Sequence, residues 1–478
     1  MTTVITAEAL RRLDAVQRRL AEHAARPLPT GLTDPDPGAT ERWEAGQVWA
    51  HLAEFPGYWL AEFRRVVEAH AAGAAPPPFG RTKTDPGRIA AIERDRRTDP
   101  AELLRQVTAQ IAELSATLAA LPAPAWEARG MHPTRGEIAL PEMVDRFVLD
   151  HLEEHADQLD GLELVTLDEI RAAAERIRGV ALRPPLMRWD EHTWLKPESL
   201  QPVGAFKMRG AYNAIASLSD EERVRGVVTY SSGNHAQAVA RAARLLGTHA
   251  TIVMPEDAPP VKVEGVRRDG GEIVVAGRTG EERHTTALEL VERRDLVMIE
   301  PYDDRRIIAG QGTSGLEIAE DLPGVTSVLI PVSGGGLSAG IATAVKALAP
   351  DARVIGVEPE LAADARESLA RGEIVAWDGS LTTRTMADGL RVEHLGWLPF
   401  LHLRRFMDEI VTVTEEQMAD AMRQLAMHAR LVVEASGAAG MAAHLSGAAP
   451  RVAGDDQRVV VISGGNVDPA LFARILSG

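Results

Sequence analysis

Hydrophobic positions in the first third of the chain recur every three or four residues, the spacing of an amphipathic helix. Val48, Leu52 and Phe55 form one such stripe, and Leu103 and Val107 begin another. Segments rich in Pro, Gly and Asp separate the stripes, as expected for loops between helices. The pattern therefore predicts an all-α four-helix bundle, with helices at about residues 4–26, 43–73, 99–121 and 139–160.

The pattern changes after residue 165, where short Val/Ile-rich runs alternate with amphipathic stretches. The run at 226–230, for example, precedes an amphipathic stretch at 236–246. This alternation is typical of β-α-β units and of a mostly parallel sheet covered by helices. We therefore predict a multidomain chain, with a bundle over residues 1–162 and an α/β region over residues 163–478.

Composition excludes several classes of function. The 478 residues carry a formal net charge of -17, which disfavours a nucleic-acid partner because phosphate backbones are bound by an excess of Lys and Arg. There are no cysteines, so a metal must be held by His, Asp or Glu. No apolar run is long enough to span a membrane, and the N-terminus lacks the pattern of a secretory signal. We expect a cytoplasmic enzyme without a membrane partner.

Four short motifs in the second domain combine small residues with a lysine, an asparagine or a serine. They are Gly204-Ala-Phe-Lys207, Ser231-Ser-Gly-Asn-His235, Ser333-Gly-Gly-Gly-Leu337 and Ser463-Gly-Gly-Asn-Val467. The second and third lie between a strand-like run and a helix, where free backbone N–H groups can bind an anion. Each motif alone has an ordinary structural explanation, such as a helix cap or a solvated lysine. Only the ordered set is specific.

The ordered set resembles the serine/threonine dehydratase and serine racemase family of pyridoxal-phosphate enzymes, of fold type II, over residues 165–478. The resemblance implies two parallel-type sheets covered by helices, pyridoxal 5'-phosphate as the cofactor, a small amino-acid substrate and a homodimer. It further implies that Lys207 binds the cofactor as a Schiff base and later removes the Cα proton of the substrate.

The resemblance also assigns the remaining cofactor contacts. Asn234 would bond the ring hydroxyl, and Ser463 would face the pyridine nitrogen. The phosphate would be cupped by Ser333, Gly334, Gly335, Gly336 and Leu337. Further residues near the cofactor would be Phe206, Gly389 and Glu434. The substrate, mainly through its carboxylate, would be bound by Ser231, Ser232, Asn234, His235 and Arg283.

The predicted reaction is deaminating dehydration of a small β-hydroxy amino acid, such as L-threonine, L-serine or 3-hydroxyaspartate, to a 2-oxo acid and ammonia. A serine near the pyridine nitrogen, in place of a carboxylate, makes the ring a weaker electron sink and favours prompt loss of the β-hydroxyl group. Ser232 matches the second acid/base of the racemases, so amino-acid racemisation is an alternative. A third hypothesis is a cofactor-binding scaffold or sensor. Ala205 and Ala236 depart from common family residues, so the substrate stays open.

An acidic segment after the strand-like run 354–357 is a candidate cation site. Glu358, Asp364 and the main-chain carbonyl of Ala362 offer hard oxygen ligands of the kind that Mg²⁺ or Ca²⁺ prefers. The segment is similar to the activating-cation site of serine racemase-like enzymes. The alternative is a solvated acidic loop.

Three histidines of the bundle are predicted to point into its interior. His151 and His155 are one helical turn apart on the face that carries Val148, and His51 shares a stripe with Phe55. Three imidazoles can hold a metal and leave one coordination position open. The segments resemble DinB-like and mycothiol-dependent isomerase bundles, which implies Zn²⁺ or Ni²⁺. The alternatives are structural histidines, or a binding or oligomerisation module without chemistry.

Overall fold

The computed structural model describes residues 2–33, 41–231, 233–256, 258, 260–277, 279–451 and 457–477. The chain divides into two compact units, residues 1–163 and residues 164–478. Among the described residues, no helix combines the length and the apolar character needed to cross a membrane.

The first unit is a helical bundle with one small hairpin. Its elements are α1 (Thr2–Ala24), α2 (Ala45–Ala71), α3 (Pro86–Asp95), α4 (Pro100–Ala120), β1 (Arg129–His132), β2 (Gly136–Ala139), α5 (Leu140–Val144) and α6 (Asp150–Glu163). A π-helical turn, Asp145–Leu149, joins α5 to α6. The core consists of the predicted apolar stripes, so that Leu52, Phe55, Leu103 and Leu152 are fully buried.

The helical prediction for the first unit holds, but it missed two elements. Helix α3 is short and buries only Arg88, Ala91 and Ile92, too few positions to form a readable stripe. The antiparallel hairpin of β1 and β2 has strands of four residues, which are too short for a two-residue alternation to be recognised.

The second unit contains two sheets covered by helices, as predicted. Its helices are α7 (Leu167–Arg176), α8 (Lys207–Ala216), α9 (Asp220–Arg225), α10 (Asn234–Leu245), α11 (Pro260–Arg268), α12 (Gly280–Arg294), α13 (Arg305–Asp321), α14 (Gly336–Leu348), α15 (Asp364–Arg371), α16 (Gly379–Thr382), α17 (Trp397–Phe406), α18 (Glu415–Gln424), α19 (Ala435–Ser446) and α20 (Pro469–Ser477). Its strands are β3 (Met187–Arg188), β4 (Thr193–Pro197), β5 (Val227–Tyr230), β6 (Ala250–Met254), β7 (Glu272–Val275), β8 (Val297–Met298), β9 (Ser327–Pro331), β10 (Arg353–Pro359), β11 (Glu409–Val413) and β12 (Arg458–Ile462).

The two sheets are almost entirely parallel. The large sheet has the order β11-β10-β9-β12-β4-β3, and only β3 runs antiparallel to its neighbour. The small sheet has the order β7-β6-β5-β8 and is parallel throughout. Strands β9 and β12 are buried at every position, which explains the apolar runs 328–331 and 459–462 within them. Ligands of such sheets bind at the carboxyl ends of the strands, where the four motifs lie.

Candidate active site

Lys207 is the first residue of α8 and is partly buried. Its Nζ donates a hydrogen bond to the carbonyl oxygen of Pro301 at 2.6 Å and lies 5.2 Å from the centre of the Phe206 ring. Desolvation lowers the pKa of Lys207 to about 7, because the charged ammonium is deprived of water. A large fraction of the amine is therefore neutral near pH 7 and able to act as a nucleophile or a base.

The glycine-rich loop between β9 and α14 is closely packed from two sides. A Cβ atom on Gly334 would lie 2.4 Å from the ring of Tyr302, and one on Gly335 would lie 2.6 Å from Pro399. Gly335 also has a positive φ of 92°, which favours glycine. Because α14 begins at Gly336, the first N–H groups of that helix lack partners within the helix and suit an anion such as phosphate.

The turn between β5 and α10 is held close to Lys207. Ser231 Oγ accepts a hydrogen bond from Gly233 N at 3.2 Å. His235 Nε2 lies 3.3 Å from the carbonyl oxygen of Ile299, and burial together with the charge of Lys207 holds its pKa well below the usual value. The predicted acid/base Ser232 lies outside the described residues.

Asn234 lies at the centre of a hydrogen-bonded group. Its Nδ2 donates to Glu434 Oε1, and its Oδ1 accepts from Asn466 Nδ2 at 2.9 Å. Asn466 also donates to the carbonyl oxygen of Val203 at 2.8 Å. Glu434 is buried, and within the described part of the chain its Oε2 has no hydrogen-bond partner. Asn234 therefore has a fixed amide orientation.

The end of β12 brings Ser463 to the same place. The backbone N–H of Phe206 donates to the carbonyl oxygen of Ser463 at 3.0 Å, and Ser463 is buried. Gly389 N, in the turn Asp388–Leu390, donates at 2.8 Å to Oγ of Ser436, which lies in the first turn of α19 two residues after Glu434. Arg283 is partly buried in the first turn of α12.

The structure brings Tyr302 and Asn466 into this group of residues, and the sequence analysis assigned neither of them a role. Tyr302 follows the acceptor of Lys207 and packs on the glycine loop, and no pattern in the sequence indicates this. Asn466 stands within the motif after β12, where an amide beside two glycines was a usable signal.

Glu358 and Asp364 form a buried acidic pair. Glu358 accepts hydrogen bonds from Ala365 N at 3.1 Å and Arg366 N at 2.8 Å. Neither carboxylate oxygen of Asp364 has a hydrogen-bond partner among the described residues. Burial raises the pKa of Asp364 to about 7, and burial and the Asp364 charge raise the pKa of Glu358 well above its usual value. The pair offers the hard carboxylate oxygens that Mg²⁺ or Ca²⁺ prefers. Ala362 is buried beside them.

The three histidines of the bundle lie close together. His151 Nε2 lies 3.1 Å from His51 Nε2 and 3.2 Å from His155 Nε2. His51 and His155 are buried and His151 is partly exposed, so that the cluster has one accessible side. Trp43 stacks on the ring of His155 with the ring centres 5.7 Å apart.

Comparison with known proteins decides the family. Residues 181–464 match the family model described as pyridoxal-phosphate dependent enzyme. The chain belongs to this family. Residues 11–159 match the model of the DinB superfamily. The predicted combination of a pyridoxal-phosphate-dependent lyase and a DinB-like region is therefore confirmed.

Relatives of the pyridoxal-phosphate-dependent region carry different activities. An L-threonine ammonia-lyase of Thermotoga maritima is 42% identical over 66% of this chain and 79% of that enzyme. An L-threo-3-hydroxyaspartate ammonia-lyase of Saccharomyces cerevisiae is 38% identical over 66% of this chain and 97% of that enzyme. The solved structure of maize serine racemase is 37% identical, with a TM-score of 0.61 over 66% of this chain and 97% of that one.

The residues present fit pyridoxal phosphate. A glycine loop that a single Cβ atom would obstruct leads into a helix N-terminus, which suits the phosphate group. The partly neutral Lys207 amine suits the aldehyde. Buried Glu434 accepts from Asn234 Nδ2 through Oε1, which fixes the Asn234 amide that the proposed ring contact requires. This family's cofactor therefore has a chemically complementary site in the second unit.

Proposed function

We propose that the second unit catalyses deaminating dehydration of a small β-hydroxy amino acid, such as L-threonine, L-serine or 3-hydroxyaspartate. The overall reaction yields one 2-oxo acid and one ammonia, since the water lost at Cβ is balanced by the water that releases the amino group. The observation that carries this proposal is the Lys207 amine, which is partly neutral near pH 7 and donates to Pro301, the residue before the Tyr302 that packs on the glycine loop. The ammonia-lyases among the relatives support it.

In this proposal Lys207 would hold the cofactor, residues 333–337 its phosphate, Asn234 its ring hydroxyl and Ser463 its ring nitrogen. Bound pyridoxal phosphate supplies the electron sink that stabilises negative charge at the substrate Cα. Lys207 accepts the Cα proton, which the low pKa of its amine permits near pH 7. Ser231, Asn234 and His235 are proposed to bind the substrate carboxylate, and Ser232 to contact the substrate. Arg283 is either a further carboxylate contact or a solvated side chain.

The acidic pair Glu358 and Asp364, with the carbonyl oxygen of Ala362, is proposed to hold Mg²⁺ or Ca²⁺. Its two buried carboxylates repel each other, and a divalent cation would offset that repulsion. Mg²⁺ should therefore raise the thermal stability of the wild-type protein after treatment with a chelator. The increase should be lost in Asp364→Asn and kept in Asp378→Asn, which changes an exposed helix cap.

Absorbance spectroscopy of the purified full chain tests the main proposal. The wild type should show the visible band of lysine-bound cofactor, and one of the three candidate substrates should yield a 2-oxo acid. Lys207→Ala should lose both signals. The matched control is Lys346→Ala, which removes a lysine that is ion-paired with Asp408.

Two other outcomes would favour the alternatives. A band without 2-oxo acid, but with loss of optical rotation of an L-amino acid, would indicate the racemase, for which maize serine racemase is the structural precedent. No band after addition of pyridoxal phosphate would contradict both catalytic proposals and leave a scaffold.

We propose in addition that His51, His151 and His155 hold a divalent transition metal such as Zn²⁺ or Ni²⁺. Burial and the neighbouring imidazoles hold the pKa of His51 and His155 well below the usual value, so these rings are neutral. A neutral imidazole carries one N–H group. The position of that hydrogen therefore decides whether the converging Nε2 atoms can act as ligands.

The outer nitrogens support the ligand role. An oxygen three residues further along the helix lies near the Nδ1 atom of each histidine: Glu54 Oε2 at 3.4 Å from His51, Glu154 Oε2 at 3.5 Å from His151, and Gln158 Oε1 at 2.8 Å from His155. These oxygens favour the hydrogen on Nδ1 and leave the lone pairs of the three Nε2 atoms converging. A cation between the three Nε2 atoms would relieve the repulsion among their lone pairs.

Elemental analysis of the reconstituted full chain tests the metal centre. One equivalent of metal should be bound by the wild type and lost in His151→Ala. His70→Ala, at the C-terminal end of α2, is the control that should keep it. A wild type that retains no metal would leave the histidines a structural role.

A further inference from the structure

Lys262 is a buried cation that links the two halves of the second unit. It lies in α11, next to the small sheet, and only 3% of its surface is exposed. Its Nζ donates to Asp388 Oδ2 and lies 3.8 Å from Glu434 Oε2. Both carboxylates belong to segments that pack on the large sheet, so the ion pairs cross from one sheet to the other.

The same ammonium also supports the turn before α10. A Cβ atom on Gly233 would lie 3.1 Å from Lys262 Nζ, so the backbone of that turn packs against the lysine side chain. The next residue, Asn234, donates its amide hydrogen to Glu434 Oε1. Lys262 therefore contacts both the turn that carries Asn234 and the carboxylate that orients it.

The charges around Lys262 are mutually dependent. Burial alone would lower the pKa of Lys262, but Glu434 and Asp388 outweigh burial and the opposing Arg391, and the pKa is raised. Burial raises the pKa of Glu434 to about 7, Asp388 adds to that effect, and Lys262 and the Asn234 hydrogen bond oppose it. The lysine is thus the cation that favours the carboxylate form of Glu434.

The protonation state of Glu434 matters to Asn234 because a carboxylate can only accept hydrogen bonds. The Glu434 carboxylate therefore requires the Nδ2 group of Asn234 to face it. Asn234 Oδ1 is then turned toward Asn466 Nδ2, which donates to it. A protonated Glu434 could instead donate through its own O–H group, and the amide would lose its fixed orientation.

We propose that Lys262 is a positioning residue that ties Asp388 and Glu434 to the Gly233–Asn234 turn and so fixes the orientation of the Asn234 amide. The proposal rests on the proposed function, in which Asn234 faces the cofactor ring. Lys262 itself touches neither substrate nor the reacting atoms in this assignment.

The test compares Lys262→Met and Lys262→Arg with the wild-type holoenzyme, and Lys346→Met serves as the control. Lys262→Met should lower kcat/KM by about tenfold, the loss expected for a misplaced buried hydrogen bond. In this variant the acidic limb of the kcat/KM profile against pH should move to higher pH, because removal of the cation makes Glu434 protonate more readily. Lys262→Arg should restore the wild-type pH profile. The visible band of the cofactor should show the same pH shift.

A double variant separates positioning from a merely structural role. Glu434→Gln should abolish the pH shift that depends on Lys262. Adding Lys262→Met to Glu434→Gln should cause little further loss of kcat/KM. A wild-type pH profile in Lys262→Met, or additive losses in the double variant, would overturn the proposal. If Lys262→Met fails to fold, Lys262→Arg and Glu434→Gln still report on the pH profile. A wild type without band or activity would refute the proposed function instead.

Discussion

The two lysines of the proposed site differ in protonation because their surroundings differ. Lys207 donates to a carbonyl oxygen, and desolvation lowers its pKa to about 7. Lys262 is also desolvated but faces two carboxylates, which raise its pKa. The same side chain is therefore suited to act as a base in one position and to remain a fixed cation in the other.

The lowered pKa of Lys207 leads to a prediction for the cofactor-free protein. Covalent capture of pyridoxal phosphate requires the neutral amine. The rate should therefore rise with pH through an inflection near 7 and level off above it, and it should be slow at pH 5. Stopped-flow absorbance after mixing with the cofactor measures this rate.

The inflection of the capture rate near pH 7 depends on the desolvated environment of Lys207. A fully exposed lysine amine provides the comparison. Nα-acetyl-lysine amide, in which only the side-chain amine is free, should show its inflection near pH 10 under the same conditions. A protein rate that keeps rising from pH 7 to pH 10 would mean that the amine is not desolvated before the cofactor binds.

At the scale of elements, the strand–turn–helix units were predictable and their packing partners were not. The glycine loop after β9 and the turn after β5 were read from local residue types, because turn chemistry and apolar runs are local signals. The contacts of Tyr302 and Lys262 were not predicted, since they join segments that are distant in sequence. The hairpin of β1 and β2 and the helix α3 were not predicted, because each element is too short for its hydrophobic periodicity to be recognised.

Replacement of a loop glycine tests the close packing of that element. In Gly334→Ala the new Cβ atom would lie 2.4 Å from the Tyr302 ring, so the loop or the ring must move. We expect cofactor affinity to fall by at least about tenfold, as the N–H groups lose their alignment. Equilibrium titration with pyridoxal phosphate measures it.

Gly280→Ala is the matched control for this loop variant. A Cβ atom there meets no heavy atom within 4 Å, at the first residue of α12. It should bind the cofactor like the wild type. Equal affinities in Gly334→Ala and Gly280→Ala would show that the glycine loop is not the phosphate site.

For the whole molecule, the chain joins two units with separate cores. The apolar core of the first unit contains residues from Ala9 to Leu162, and the cores of the second unit begin at Val165. The change in hydrophobic periodicity predicted this division of architecture. The sequence pattern offers no physical reason for the fusion itself, because neither periodicity nor motifs describe how two units cooperate.

Separate cores predict two thermal transitions in calorimetry of the full chain. Removal of pyridoxal phosphate should lower the midpoint of one transition only. Addition of Zn²⁺ to chelator-treated protein, with Mg²⁺ restored in every sample, should shift the other, since a ligand stabilises the unit that binds it. A single transition that responds equally to both ligands would contradict independent unfolding.

The π-helical turn Asp145–Leu149 gives the bundle histidines an unusual tolerance of a change in chain length. A π turn closes its hydrogen bonds over one residue more than an α-helix, and His151 and His155 follow directly after it. Deletion of one residue there, with conversion of the turn to regular helix, removes a residue but keeps one full turn, so both histidines should stay on nearly the same face relative to α5. Deletion of a residue between His151 and His155, inside regular helix, would instead rotate one ring from the other by about 100°. In a lineage of related bundles, the π turn is thus a place where a one-residue insertion or deletion can leave the histidine cluster intact.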